Sequence, residues 1–394
     1  MTQDDAHTGK YELSRKPVTI QLVESIAAIP QKDWDALVGA GAFFQSHAWL
    51  RFVEREPIAR ARYVLAQRNG VLVGALPLYK YYKTPRPRYR IERFRSLLSI
   101  EGDYLIAGAR RGLRTALLVS ELEGDTQALA AMLSAAMEVA ASERCAGLII
   151  PFMPTADVSR LARLADVWST DIAFDDVEAV LQVVGTFENY AARLPRKRRY
   201  TTMKERRRYL HEGLRTSVER LEDCLEEVAS LVSMLETRHG HSIPDFLLRR
   251  VFRWQVKASP ERPVVLTCRT DDGQMVACTV NYAWRGGLYN QAVGMRYALL
   301  REAYEYFNLL IYEPVSRASE LHVSRIHLSI ASRAKLQRGA DAFPLWTAVL
   351  RHSRGKGGVH ILDPDASNRW RREMGYVHAF PEDAWQDAST LLEF

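Results

Sequence analysis

The stretch RPVVLTCRTDDGQMVACTVNYAWRGGLYNQAVGM, residues 262–295, indicates the fold more clearly than any other part of the chain. It contains three apolar or alternating runs, which are typical of β-strands. Two tight-turn signals, Asp272-Gly273 and Gly286-Gly287, separate these runs, and each is short enough to join antiparallel neighbours. The stretch therefore predicts three antiparallel strands in the second half of the chain.

A similar pair of strands is predicted in the first half of the chain. RYVLAQRNGVLVGALPLY, residues 62–79, has the same order of strand, tight turn and strand with a small residue as residues 264–282. Helical patterns flank both stretches, including one that Ser46 is placed to cap, so the fold class is mixed α/β. We predict a disordered leader at 1–12 and two related modules at 13–178 and 179–394.

The composition is that of a globular protein with a basic bias. Of the 394 residues, 47% are hydrophobic and 26% are charged, and the net charge of +7 favours anionic partners. The four cysteines lack metal-ligand spacing, and Cys268 and Cys278 fall in adjacent strand-like runs, so we expect buried, reduced thiols and no metal. No signal peptide or membrane-spanning stretch is visible, which predicts a cytoplasmic protein.

Four segments, in this order, resemble motifs of the GNAT acyltransferase superfamily, and more closely those of its double-module, FemABX-like branch. They are FFQSHAWLRFVE (43–54), NGVLVGALPLYKY (69–81), ENYAARLPRKRRYTTMKERRRYLHEG (188–213) and SIASRAKLQRGADAFPLW (329–346). The resemblance implies two tandem GNAT-like modules, each a mixed, largely antiparallel sheet flanked by helices, with the transfer site in the second. It also implies direct acyl transfer to an amine, which forms an amide.

The stretch AVGMRYALLREAYEYFNLL, residues 292–310, bears on the identity of the acyl donor. In GNAT enzymes that use acetyl-CoA, a glycine-rich loop at this place presents backbone N–H groups to the pyrophosphate. Here no glycine follows Gly294 until Gly339, and Leu299-Leu300 occupy the loop. FemABX-like enzymes also lack the loop and use aminoacyl-tRNA, so the resemblance favours that donor. The alternatives are an acyl-CoA donor held by Arg296 and Arg301, and a nucleic-acid-binding or scaffold protein without catalysis.

Residues 195–215, which include a helix predicted from Tyr200, carry nine Lys or Arg and only two Glu. So few acidic partners favour an anionic ligand such as tRNA, although a solvated helix face has the same composition. Tyr200 and Tyr209 lie among the cations and could stack on bases. Two more basic segments lie at residues 83–95 and 110–114. The donor-binding candidates are Arg196, Lys197, Arg199, Lys204, Arg207, Arg208, Arg296, Arg333 and Arg338.

Lys335 is the catalytic candidate that the resemblance implies. In the FemABX-like branch a lysine in this element lies over the sheet, where its charge stabilises the donor carbonyl oxygen during attack by the amine. An exposed loop lysine is the alternative. His239, His241 and Glu236, at the end of a predicted helix, are the candidates for accepting the proton of the amine.

Tyr289, Asn290 and Gln291 are the candidates for the acyl pocket. They lie on a central strand of the second module, where alternation places Tyr289 and Gln291 on one face and Asn290 on the other. One of these faces is expected to line the pocket, and the sequence leaves open which.

Overall fold

The chain divides into two compact units. In the computed structural model we describe residues 17–83, 87–120, 126–164, 168–241, 243–259, 263–352 and 357–375. The first unit contains the described residues up to Val177 together with Phe343–Gly375, and the second contains Glu178–Ala342. The predicted leader at 1–12 lies outside the described residues.

The first unit is built on a mixed, mostly antiparallel sheet. Its strands are β1 (Thr19–Val23), β2 (Ala59–Arg68), β3 (Val71–Tyr81), β4 (Leu105–Ala107), β5 (Leu118–Val119), β6 (Gly147–Pro154), the first residues of β7 (Ser169–Gln182), β13 (Asp341–Arg351) and β14 (Gly358–Leu362). Its helices are α1 (Gln31–Leu37), α2 (His47–Val53), α3 (Ile91–Leu98), α4 (Gln127–Ser142), α5 (Thr155–Ala162) and α13 (Ala366–Met374). The main strand order is β1-β2-β3-β4-β6-β13, in which only β4 and β6 are parallel.

The second unit has a sheet of the same kind. Its strands are the last residues of β7, β8 (Arg215–Arg220), β9 (Val264–Arg269), β10 (Met275–Trp284), β11 (Gly287–Met295) and β12 (Arg325–Ile330). Its helices are α6 (Phe187–Arg193), α7 (Arg196–His211), α8 (Leu221–Arg238), α9 (Asp245–Ala258), α10 (Glu305–Phe307), a π-helical segment (Asn308–Tyr312), α11 (Glu313–Ser316) and α12 (Arg333–Leu336). The strand order is β8-β9-β10-β11-β12-β7, in which only β11 and β12 are parallel.

The two units repeat one plan, which confirms the predicted fold class. In each sheet four antiparallel strands are followed by one parallel neighbour and one antiparallel neighbour. The fifth strand of each sheet contains one non-glycine residue with positive φ, Phe152 at 60° in β6 and Ser329 at 63° in β12. Such residues are uncommon, so their recurrence at similar places supports a duplicated architecture.

The last strand of each sheet comes from the other half of the chain. β13 pairs with β6 in the first unit, and β7 pairs with β12 in the second. The first long segment of the first unit ends at Val177, one residue before the predicted boundary at 178/179. The predicted second module, 179–394, differs from the structure because Phe343–Gly375 belong to the first unit.

Local sequence explains the hairpins and their packing. Asn69 and Gly70 both have positive φ in the β2–β3 turn, as a two-residue hairpin loop requires. The β10–β11 turn lies at Arg285-Gly286, one residue before the predicted Gly286-Gly287. A Cβ atom on Gly74 would lie 2.8 Å from Met132 Cε of α4, so a larger residue here would require the end of the Met132 side chain to move.

The cysteines and the helices agree with the expectations from composition where the structure tests them. Cys145, Cys224, Cys268 and Cys278 are all buried and free. Burial raises the pKa of the Cys268 thiol to about 11, so the thiolate is scarce near neutral pH. In the described ranges, no helix combines the length and the apolar composition that crossing a bilayer requires.

Candidate active site

The parallel strands β11 and β12 of the second unit separate soon after they meet. They pair only at Gly287–Tyr289 with Arg325–His327, and beyond these positions the described strands share no pair. β11 nevertheless continues to Met295 and β12 to Ile330. Beyond these positions the backbone groups of the two neighbouring strands therefore do not pair with each other.

A β-bulge lies where the strands part. Val280 of β10 faces Ala292, whereas Asn281 faces Asn290, so Gln291 is an extra residue on β11. This extra residue interrupts the alternation from which the faces of the acyl-pocket candidates were predicted. The Nδ2 group of Asn290 donates to Asn281 Oδ1 at 3.2 Å, and Gln291 Oε1 is buried without a hydrogen-bond partner. Asn290 and Gln291 therefore lie in the parted region.

Lys335 is half-buried and its ammonium group is held on β12. It belongs to the short helix α12, and Nζ donates to Leu328 O at 2.6 Å and to Ile330 O at 2.7 Å. Both carbonyl groups lie in the part of β12 that no longer pairs with β11. The arrangement fixes a cation beside the parted strands, rather than leaving it on an exposed loop.

Arg338 lies in a buried network and not on an open surface. Its Nη2 and Nε groups donate to the two carboxylate oxygens of Glu205 at 2.6 Å and 3.1 Å, and Nη1 donates to Ala334 O at 2.9 Å. Its guanidinium also lies 3.4 Å from the centre of the Phe307 ring. Nε, Nη1 and Nη2 each donate to a protein acceptor, so Arg338 has a structural role here, and its role as a phosphate ligand stays a prediction.

The basic helix α7 has one buried and one exposed face. Thr202, Glu205 and Tyr209 are buried, and they recur at helical spacing. Tyr209 therefore cannot stack on a base, whereas Tyr200 is 73% exposed. The cations around Tyr200 form the exposed face, and they are Arg196, Lys197, Arg199, Lys204, Arg207 and Arg208.

Few of the cations on this face have acidic partners. Arg208 approaches Glu212 at 3.9 Å, and Arg199 donates to the carbonyl oxygens of Ala192 and Leu194. The side chains of the remaining four make no ion pair with a described residue, and they are Arg196, Lys197, Lys204 and Arg207. The exposed face of α7 is thus a cluster of unneutralised positive charge around an aromatic ring.

The two basic segments of the first unit are largely neutralised within that unit. Arg110 is buried and pairs with Glu56 at 3.2 Å, and Arg111 pairs with the same carboxylate at 2.6 Å. Arg88 and Arg93 pair with the adjacent residues Asp176 and Asp175. These arginines are therefore structural, which corrects the expectation that three basic segments face a polyanion.

Three catalytic candidates lie at the end of α8. His239 and His241 are exposed and Glu236 is half-buried. Arg238 stacks 4.0 Å from the centre of the ring of Tyr297, which follows β11, so this end of α8 lies near the carboxyl end of that strand. Within the described residues, no hydrogen bond or ion pair joins these three side chains to Lys335. Their role in proton transfer stays a prediction.

Sequence reasoning missed a buried pair beside the parted strands. His327 is the last residue of β12 that pairs with β11, and its Nδ1 atom lies 2.8 Å from Glu178 Oε1 on β7. The ring of His327 stacks on the ring of Tyr289 with 4.0 Å between centroids. Tyr289 is thus a buried part of the paired region. The partners are 149 residues apart in sequence, so no local motif reveals them.

The loop after β11 is closed by a carboxylate. The backbone N–H groups of Arg301 and Ala303 donate to the two oxygens of Glu305 at 2.6 Å and 3.0 Å. Leu299 and Leu300 pack against an apolar cluster that includes Leu266 and Met295. The side chain of Glu305 therefore occupies N–H groups in the segment that would otherwise present such groups to a pyrophosphate.

We expect Glu305→Ala to destabilise the protein by about 1–3 kcal/mol, because it leaves two backbone N–H groups without their acceptor. Guanidinium unfolding measures the change, with the exposed neighbour Glu302→Gln as a control that should stay within about 0.5 kcal/mol of wild type. Equal stability of Glu305→Ala and wild type would show that the carboxylate does not hold the loop.

Two predicted donor-binding arginines flank the site without a defined role. Arg296 follows β11 and is half-buried, and its Nε atom is buried without a hydrogen-bond partner. Arg333 is exposed at the start of α12. Both stay candidates for an anionic part of the donor.

The repeated strand order, with one parallel pair in each sheet, defines a tandem GNAT fold. A family model described as FemAB-like, peptidoglycan biosynthesis/recognition, matches residues 111–356, which is more than half of the chain. The chain belongs to the FemAB-like family. In general terms it is therefore an acyl- or aminoacyltransferase.

Solved structures support the fold at low sequence identity. FemX is 13% identical with a TM-score of 0.57, and the match covers 83% of this chain and 96% of FemX. A tandem GNAT protein from the clavulanic acid biosynthesis pathway is 12% identical with a TM-score of 0.51, covering 85% and 98%. A conserved protein of unknown function from Bacteroides thetaiotaomicron is 11% identical with a TM-score of 0.54, covering 84% and 100%. No curated protein matches the chain.

Proposed function

We propose that the protein transfers an aminoacyl group from aminoacyl-tRNA to an amine and so forms an amide. The observation that carries the choice of donor is the carboxylate of Glu305 on the N–H groups of Arg301 and Ala303. A diphosphate at this loop would have to displace a buried anion from its two donors, which disfavours CoA. An ester on tRNA needs no pyrophosphate site there.

The exposed face of α7 supports the same donor. Lys204 and Arg207 lie beside the exposed ring of Tyr200 on one face of the helix. Cations bind the phosphate backbone, and an exposed aromatic ring stacks on an unpaired base. We therefore assign donor binding to this face, and we place the protein in the cytoplasm, where charged tRNA is found.

The chemistry proposed for the parted strands is a direct attack. The nitrogen of the acceptor bonds to the ester carbonyl carbon, the bond to the ribose oxygen breaks, and the proton of the amine finally neutralises the leaving oxygen. Negative charge grows on the carbonyl oxygen during attack, and Lys335 is the cation we assign to stabilise it. The family description favours an amine of a peptidoglycan precursor as acceptor, and a small-molecule amine is the alternative.

The test of the donor compares the thermal stability of the protein with CoA, with acetyl-CoA and with total charged tRNA. We expect stabilisation by charged tRNA that weakens as salt increases, and none by CoA. The slope of log K for tRNA binding against log salt concentration should become shallower when both Lys204 and Arg207 are replaced by alanine. The expected change is about 1 for each side chain removed.

Lys257→Ala is the matched control for the charge change, because Lys257 is an exposed cation on the separate helix α9. It should leave tRNA binding unchanged. Stabilisation by CoA alone would favour the acyl-CoA-dependent alternative, in which Arg296 holds the donor. Binding of tRNA without transfer to any amine would instead favour a non-catalytic nucleic-acid-binding protein.

A further inference from the structure

The pair formed by His327 and Glu178 is enclosed and chemically specific. Both residues are only 3% exposed. Glu178 from β7 and Tyr289 from β11 contact the imidazole. On the next strand, β10, Tyr282 pairs with Tyr289 and its hydroxyl donates to Gln255 of α9. Burying two ionisable side chains costs free energy unless they hydrogen-bond to each other. The contact between His327 and Glu178 is therefore expected to be strong.

The carboxylate determines which nitrogen of His327 carries the proton in the neutral ring. An ionised carboxylate only accepts hydrogen bonds, so Nδ1–H donates to Glu178. The neutral imidazole then has its lone pair on Nε2. This atom is buried and has no hydrogen-bond partner in the described structure. A buried acceptor without a donor is unfavourable and calls for a physical explanation.

The position of the ring supplies that explanation. His327 and Tyr289 form the last parallel pair before β11 and β12 part, and the bulge at Gln291 follows two residues after Tyr289. His327 is thus the residue of β12 after which the two strands part. A carboxylate that fixes the tautomer also stabilises the imidazolium that forms when the ring takes a proton.

Resting on the proposed function, we propose that His327 is the general base of the transfer. Its Nε2 atom first accepts a proton from the acceptor ammonium and releases it to solvent, which leaves a neutral amine. When the C–N bond forms, Nε2 accepts the second proton that the nitrogen must lose. That proton passes to the leaving ribose oxygen as the C–O bond breaks, so the ring ends each cycle neutral. Glu178 is a positioning residue, which acts only through the imidazole.

Two amines that differ in protonation test this assignment. The donor is aminoacyl-tRNA carrying a radiolabelled amino acid, and the acceptors are a lysine-containing peptidoglycan pentapeptide and hydroxylamine, which is largely unprotonated at neutral pH. We expect His327→Gln to slow transfer to the pentapeptide about 10²–10⁴-fold, because it removes the base. Transfer to hydroxylamine should fall much less, because that amine needs less help in losing a proton.

The pH profile of kcat/KM separates a base from a structural residue. Wild-type kcat/KM should rise with pH, because a general base must be unprotonated to accept the proton. Glu178→Gln should lower kcat/KM for the pentapeptide but keep the rise, because the imidazole stays while the partner that orients it is lost. His327→Gln should abolish the rise, whereas His322→Gln, which alters an exposed histidine outside the candidate site, should preserve it.

Equal loss with both amines, or an unchanged pH profile in His327→Gln, would overturn the assignment. The imidazole ¹⁵N chemical shifts of the wild-type protein report the tautomer of His327. This measurement needs neither a substrate nor a folded variant. A proton on Nε2 with none on Nδ1 would also overturn it. If wild type uses acetyl-CoA and not tRNA, the proposed donor fails, and the same two amines test His327 with the new donor.

Discussion

Replacing Arg338 by alanine should destabilise the protein by about 3–5 kcal/mol, which is the usual cost of removing one partner from a buried ion pair. The side chain of Glu205 is only 4% exposed and would keep its charge without the two hydrogen bonds that now satisfy it. The buried hydroxyl of Tyr312, which donates to Glu205, would lose the neighbouring guanidinium as well. Guanidinium and thermal unfolding measure the loss.

An exposed ion pair of the same kind is the control. Arg215 pairs with Asp271 at 3.2 Å on the surface of the second unit, and Arg215→Ala should cost less than about 1 kcal/mol. The double variant Glu205→Met with Arg338→Met should recover most of the loss, because it removes both buried charges together. A cost for Arg338→Ala as small as that for Arg215→Ala would contradict the buried network.

Local features of the fold could be predicted because short segments determine them. The β2–β3 hairpin follows from an alternating pattern around Asn69-Gly70, and Ser46 accepts a hydrogen bond from the Trp49 N–H as the predicted helix cap. The exchange of last strands could not be predicted. β13 and the end of β7 both carry runs of apolar residues, and pattern alone does not say which sheet each completes.

Charged residues were harder to assign, because a sequence shows charges and not their partners. Arg110 and Arg207 look alike in a basic segment, yet Arg110 is buried against Glu56 and Arg207 is exposed. His327 was missed for the same reason, since its partner Glu178 comes from a distant strand. Lys335 was predicted as a catalytic residue only because the resemblance of its segment implies a role that composition does not.

Lys335→Met should lower turnover about 10²–10³-fold, the usual effect of removing one group that stabilises a developing oxyanion. The reason lies in its position, because Nζ is fixed on Leu328 O and Ile330 O beside the parted strands. Donor binding should change little, because the cations of α7 that we assign to it are untouched. Single-turnover rates and tRNA affinity, measured on the same samples, separate the two effects.

A series of substitutions distinguishes the charge of Lys335 from its hydrogen bonds. Lys335→Gln keeps a neutral donor that can reach a carbonyl oxygen, whereas Lys335→Arg keeps the charge in a different shape. If charge stabilises the transition state, arginine should retain more turnover than glutamine, and glutamine should resemble methionine. All three variants lose part of the anchoring on β12, so similar stabilities with different rates would assign the effect to chemistry. Wild-type turnover in Lys335→Gln would mean that the ammonium serves only to hold α12 on the strand.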